Sequence, residues 1–117
     1  MSYVDGFVAA VPVDSKEKFI AHAKIMAAVL KDNGALNIVD TWADDVPDGE
    51  VTSLPLAVNK KEDEAVVFSW IVWPSKEVRE AGWEAAQQDP RMDPQNNPMP
   101  FDGKRLIYGG FNIVSDI

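Results

Sequence analysis

The sequence has no cysteine. Disulfides, thiolate metal sites and cysteine nucleophiles are therefore excluded. It has one histidine, His22, which argues against a Ser-His-Asp triad and against a metal site built on several imidazoles. No apolar run approaches the roughly 20 residues that cross a bilayer. Met1-Ser2-Tyr3-Val4-Asp5-Gly6 places no basic residue ahead of its apolar run, and Asp5 interrupts that run. It does not read as a signal peptide, and the expected compartment is the cytoplasm. Positive charge is scarce: 11 Lys and Arg stand against 19 Asp and Glu, a net charge of −8. Such a surface repels phosphate backbones and anionic lipid, so neither nucleic acid nor membrane is an expected partner, and the charge is read as solubility. There is no Walker loop, no His-Glu-x-x-His, no Gly-x-Ser-x-Gly elbow and no dinucleotide fingerprint after the first strand, so no cofactor and no metal are expected.

What is present is an ordinary globular balance, 46% hydrophobic in 117 residues, which fits one domain over 1–117. Tyr3 to Val11 is apolar apart from Asp5 and reads as a strand closed by Pro12. Asp14 or Ser15 is placed to cap a helix, with Glu17 completing a capping box onto Asp14. Phe19, Ala23, Met26, Ala27 and Leu30 then recur at helical spacing, and Gly34 ends the helix at positive φ. Ala35 to Ala43 reads as a second strand and Pro47-Asp48-Gly49 as a turn. Val51 to Val58 reads as an extra, irregular strand, held to an edge because Pro55 lacks an N–H. Ala65 to Trp73 is the strongest strand. Pro74-Ser75 opens a second helix with a narrow stripe of Val78, Ala81, Gly82 and Ala85, which Asp89-Pro90 ends. After a proline-rich loop from Arg91 to Pro100, Lys104 to Val114 reads as the last strand. Ser15-Lys16-Glu17 and Ser75-Lys76-Glu77 echo each other at the two helix starts. The expected fold class is α+β: a ferredoxin-like βαββαβ domain with an extra edge strand.

The strands do not alternate apolar with polar. Tyr3, Phe7, Ala9 and Val11 share one side of the first strand, and Val4, Val8 and Ala10 the other. Val66, Phe68, Trp70 and Val72 oppose Val67, Ile71 and Trp73. Two helices cover one face of such a sheet. The other face needs a partner, and a second copy is the simplest one, giving a homodimer through the sheet face. The alternative is a sheet with one face left exposed and apolar, which is an aggregation liability.

Several stretches carry a resemblance. Tyr3-Val4-Asp5-Gly6-Phe7, Gly34-Ala35-Leu36, Asp45-Val46-Pro47-Asp48-Gly49, Val66-Val67-Phe68-Ser69-Trp70-Ile71, Pro74-Ser75-Lys76-Glu77-Val78-Arg79, Asp89-Pro90-Arg91-Met92, Met99-Pro100-Phe101-Asp102-Gly103-Lys104-Arg105 and Ile107-Tyr108-Gly109-Gly110-Phe111 resemble the YbaA-like family of uncharacterised bacterial proteins. The resemblance runs nearly the whole chain. It implies a dimeric α/β barrel, in which two ferredoxin-like sheets pack face to face, and it implies no reaction.

The candidate pocket residues are Asp5, His22, Trp42, Trp70, Arg91, Arg105 and Tyr108. Asp5 is a carboxylate inside an apolar strand and is expected beside the Trp70–Trp73 end of the strongest strand. It is either a proton acceptor perturbed by burial or an acceptor of structural hydrogen bonds. His22 lies one position off the helical stripe and is either a flanking, partly buried histidine or a general base facing a pocket. Arg91 can bind a carboxylate ligand or tie its loop to Asp89 or Asp102. Arg105 and Tyr108 add basic and hydrogen-bonding character nearby. Trp42 and Trp70 are core or pocket lining. Asp44, Asp45, Asp48 and Glu50 match no calcium loop and read as a solvated turn. Two functions compete. One is a pocket between sheet and helices that binds or transforms a small apolar or carboxylate-bearing molecule. The other is a non-catalytic dimeric sensor or stress-related accessory protein. Haem-degrading relatives of such barrels use an asparagine on the first strand, a tryptophan on the sheet, a role Trp70 fits, and a histidine on the second helix. Here the strand carries Asp5 and the second helix has no histidine.

Overall fold

Residues 2–117 are described by a computed structural model. Ten residues, Tyr3–Pro12, form strand β1, which runs antiparallel to two partners. Strand β2 is Asn37–Asp40, β3 is Glu64–Trp73 and β4 is Ile107–Asn112. The sheet order is β2-β3-β1-β4, so the chain's first strand is central. Tyr3 pairs with Trp73 and Asp5 with Ile71 on one side, and Asp5 with Gly110 and Phe7 with Tyr108 on the other. Helices α1, Lys16–Asp32, and α3, Lys76–Gln87, pack on one face, with a single turn, α2, at Leu54–Ala57. The result is a mixed α+β fold with a four-stranded antiparallel sheet.

Helix α1 starts without the expected capping box. Neither Asp14 nor Ser15 caps through its side chain. Val13–Ser15 forms a 3-10 turn instead, and Val13 O takes the Lys16 N–H. The other end is as the sequence suggests. Gly34 has φ +107°, its N–H donates to Lys31 O, and the Ala35 N–H reaches Leu30 O at 3.0 Å. That pair of bonds is a Schellman ending. Ala35 and Leu30, the residues it brings together, are both buried in the main cluster with Val29, Ile71 and Trp73.

The extra edge strand is not formed. Ser53 caps α2 by accepting from Leu56 N–H, and Pro55 sits in its first turn, where a missing N–H costs nothing. The segment then lays Val58 against Ala10 and Val66, covering one end of the sheet face that the long helices leave bare. Strand β2 is also shorter than the Ala35–Ala43 expectation. Its ladder ends because the Thr41 hydroxyl both donates to Phe68 O and accepts from Phe68 N–H, replacing the backbone pairing. Strand β4 starts late because Gly103–Arg105 forms a 3-10 turn capped by Asp102. On α3 the buried stripe is Gly82 and Ala86, whereas Ala81 and Ala85 are exposed.

The remainder of the bare face is apolar. Val4, Val8, Val39, Trp70 and Val72 are half-buried there, and Phe68, Ile107 and Phe111 are 45%, 42% and 59% exposed.

Candidate functional site

Alternation along β1 turns Tyr3, Asp5, Phe7 and Ala9 toward the helices. Asp5 is 3% exposed and is surrounded by donors. Its Oδ2 accepts from Trp73 Nε1 at 2.9 Å and from Trp83 Nε1 at 3.0 Å. Its Oδ1 accepts from Arg79 Nη2 at 2.8 Å and Nε at 3.1 Å. An ionised carboxylate offers about four lone-pair sites, and four N–H groups occupy them. No lone pair is left to take a proton from a ligand, so the carboxylate acts as a clamp joining β1, β3 and α3. The Asp5 carboxylate raises Arg79 above the ordinary arginine value, and the guanidinium also lies 5.4 Å from the Tyr3 ring centre. Asp5 meets Trp73 as its register position suggests. Arg79 and Trp83 were missed by sequence reasoning. Their signal is the four-residue spacing that puts both on one face of α3.

Beside the clamp a cleft of about 520 Å³ runs between α3 and β4, bordered by Asp5, Phe7, Arg79, Trp83 and Tyr108. Phe7, Met26 and Leu106 border both this cleft and a second space. This second space, a chamber of about 100 Å³ partly open to the surface, lies between α1 and the sheet. Its wall is almost wholly apolar, with Leu30, Val67 and Ile71 among its residues and His22, Asp40 and Ser69 as its polar ones. A cleft of about 400 Å³ on the far side, between α1 and β2, carries Trp42. The Trp42 ring packs tilted against Phe19 at 5.8 Å and receives Lys16 over its face.

The candidates therefore divide. Asp5 and Tyr108 border the outer cleft, and His22 and Trp70 border the chamber. The Trp70 ring itself packs on Phe68, 5.6 Å away, on the bare sheet face. Arg91 and Arg105 border none of these spaces. Arg91 binds its neighbour Asp89 and also Asp32 of α1, so it ties the loop down. Arg105 grips Glu64 with two bonds of 2.7 and 2.6 Å and reaches Asn59 O and Asp102. The Glu64 carboxyl is held at about 2 by the Arg105 guanidinium, against the opposing effect of burial. No group of three or more His, Cys, Asp or Glu that can hold a metal occurs among the described residues. No helix among them is long and apolar enough to cross a membrane.

Comparison with known proteins agrees with the resemblance read from the sequence. The uncharacterised protein YbaA of Escherichia coli K12 is 54% identical over 116 residues, covering 99% of both chains. The Shigella flexneri protein of the same description matches to the same extent. Among solved structures, a mutant of SnoaB, a cofactor-independent oxygenase from Streptomyces nogalater, aligns with TM-score 0.48 at 15% identity over 99% of this chain and 94% of that one. That likeness is too distant to carry chemistry across. The family model described as "Protein of unknown function (DUF1428)" matches residues 2–103, and the chain belongs to that family.

Proposed function

We propose that the chain is one ferredoxin-like domain of a homodimer and that it binds a small, mainly apolar molecule between its sheet and helices. The observation that carries binding is the chamber: an apolar recess between α1 and the sheet, partly open to the surface and bordered by residues that also border an outer cleft. A concave apolar space with a few polar groups is where small ligands bind. The strand order supports the ferredoxin-like reading, since βαββαβ chains place the first and third strands at the centre. The bare apolar face supports the dimer, because it lacks a cover. Asp5 supplies rigidity to the rim rather than a base.

Thermal melts against a panel of small aromatic and aliphatic compounds test the binding. Compounds that fit should raise the melting temperature of the native chain. Ala23→Leu, which fills the chamber from α1, should abolish those shifts without changing the oligomeric state. Shifts that survive the substitution place binding elsewhere, and a panel with no shift at all overturns the reading.

A further inference from the structure

The chamber has one titratable side chain with a free nitrogen. His22 borders it from α1. Its Nδ1 lies 3.0 Å from Asn97 Oδ1, and the Phe101 ring meets the imidazole edge-on at 6.4 Å. Its Nε2 makes no hydrogen bond to protein among the described residues. Asn97 is 8% exposed, and its Nδ2 is buried without a partner. With Oδ1 toward the ring, Nδ1 carries the hydrogen and Nε2 is an acceptor. With the amide turned over, Nδ2 donates to Nδ1 and Nε2–H becomes a donor. Each orientation leaves one end of the amide unbonded, so neither is locked by the rest of the protein.

We propose that His22 Nε2 is the polar handle of the chamber and that Asn97 is its positioning residue. The ligand it suits is a small apolar molecule bearing one oxygen. Nε2 accepts from a hydroxyl in one amide orientation and donates to a carbonyl in the other. The rest of the wall, with Phe7, Leu30, Val67 and Ile71, takes the hydrocarbon part. A dry cavity of about 150 Å³ holds benzene. At about 100 Å³ this chamber takes part of such a ring, and the neighbouring clefts take the rest. This inference rests on the binding reading above.

The single histidine makes the test clean. Imidazole nitrogen NMR of the labelled native chain reports only His22, while the methyl signals of Met26 and Met99 report chamber occupancy. Phenol and benzene are the probes. Phenol should bind about tenfold more tightly than benzene, the worth of one added hydrogen bond, and should move the Nε2 resonance while benzene does not. His22→Phe should remove the preference while still admitting benzene. If phenol and benzene bind equally and Nε2 is unmoved, the handle is overturned and the chamber reading stands. If neither moves the methionine methyls, both readings are overturned. The native-chain spectra decide the matter even if His22→Phe fails to fold.

Discussion

Four N–H groups converge on Asp5, and that saturation supports the structural role over the basic one. Asp5→Asn removes the charge opposite Arg79 and puts an amide NH2 where an acceptor is required. The expected cost is about 1–3 kcal/mol in chemical denaturation, with the oligomeric state kept. A stabilised Asp5→Asn protein overturns the clamp. Glu64 makes a second prediction, with a definite sign. Its folded value is about 2, below the ordinary 4.5. A depressed carboxyl contributes stability that is fully present above the unfolded value and is lost as pH falls through the folded one. The advantage of the native chain over Glu64→Gln should be largest near neutral pH, about 2–3 kcal/mol, and should shrink between about pH 4.5 and 2. A constant difference across acid melts rejects the assignment. Asp5 was conspicuous in the sequence because a lone carboxylate interrupted an apolar strand. Its partners were not, because Arg79 and Trp83 look like any exposed helical pair until the helix is laid on the sheet. Glu64 was hidden for a different reason: it closes a polar turn, and only the fold brings Arg105 across to it.

At the level of elements, most of the order was legible because long apolar runs and glycine or proline punctuation mark it. What failed were short pieces governed by side-chain hydrogen bonds. Ser53 turns 54–57 into a helical turn, and Thr41 stops β2. Each depends on one hydroxyl, which periodicity cannot see. The α3 stripe was right at Gly82 but wrong at its alanines, since Ala86 faces inward and Ala81 and Ala85 do not. Two glycines show how tightly the true face packs. A Cβ at Gly82 would lie 2.6 Å from the Trp73 ring and 2.8 Å from Asn33 O. Gly82→Ala should therefore cost about 1–3 kcal/mol by overpacking, while Ala81→Ser, on the exposed face, should change little. Gly34→Ala forces positive φ on an alanine and brings its Cβ within 2.7 Å of Val78 Cγ1, so the loss should exceed the roughly 1 kcal/mol of the backbone effect alone. Urea titrations rank the three. An order in which Ala81→Ser is worst contradicts the packing described.

For the whole molecule, sedimentation at micromolar concentration should give about twice the 12.9 kDa chain mass. Phe68→Glu, in the middle of the bare face, should yield a folded monomer. A native chain that sediments as a monomer rejects the sheet-to-sheet dimer. The apolar character of both faces was readable from β1 and β3, and a pocket between sheet and helices was expected with His22 and Trp70 among its candidates, but most of its lining was not, since the shape of a recess is a property of packing. The central place of β1 has a further consequence, for the order in which the protein can be made. Its nearest strand partner in sequence is β3, which begins only at Glu64, and β4 arrives at the end of the chain. On the ribosome an apolar ten-residue strand must wait unpaired while more than half of the chain is synthesised. Its folding is set by closures between distant segments, which are slow, and β1 keeps an open edge until β4 is made.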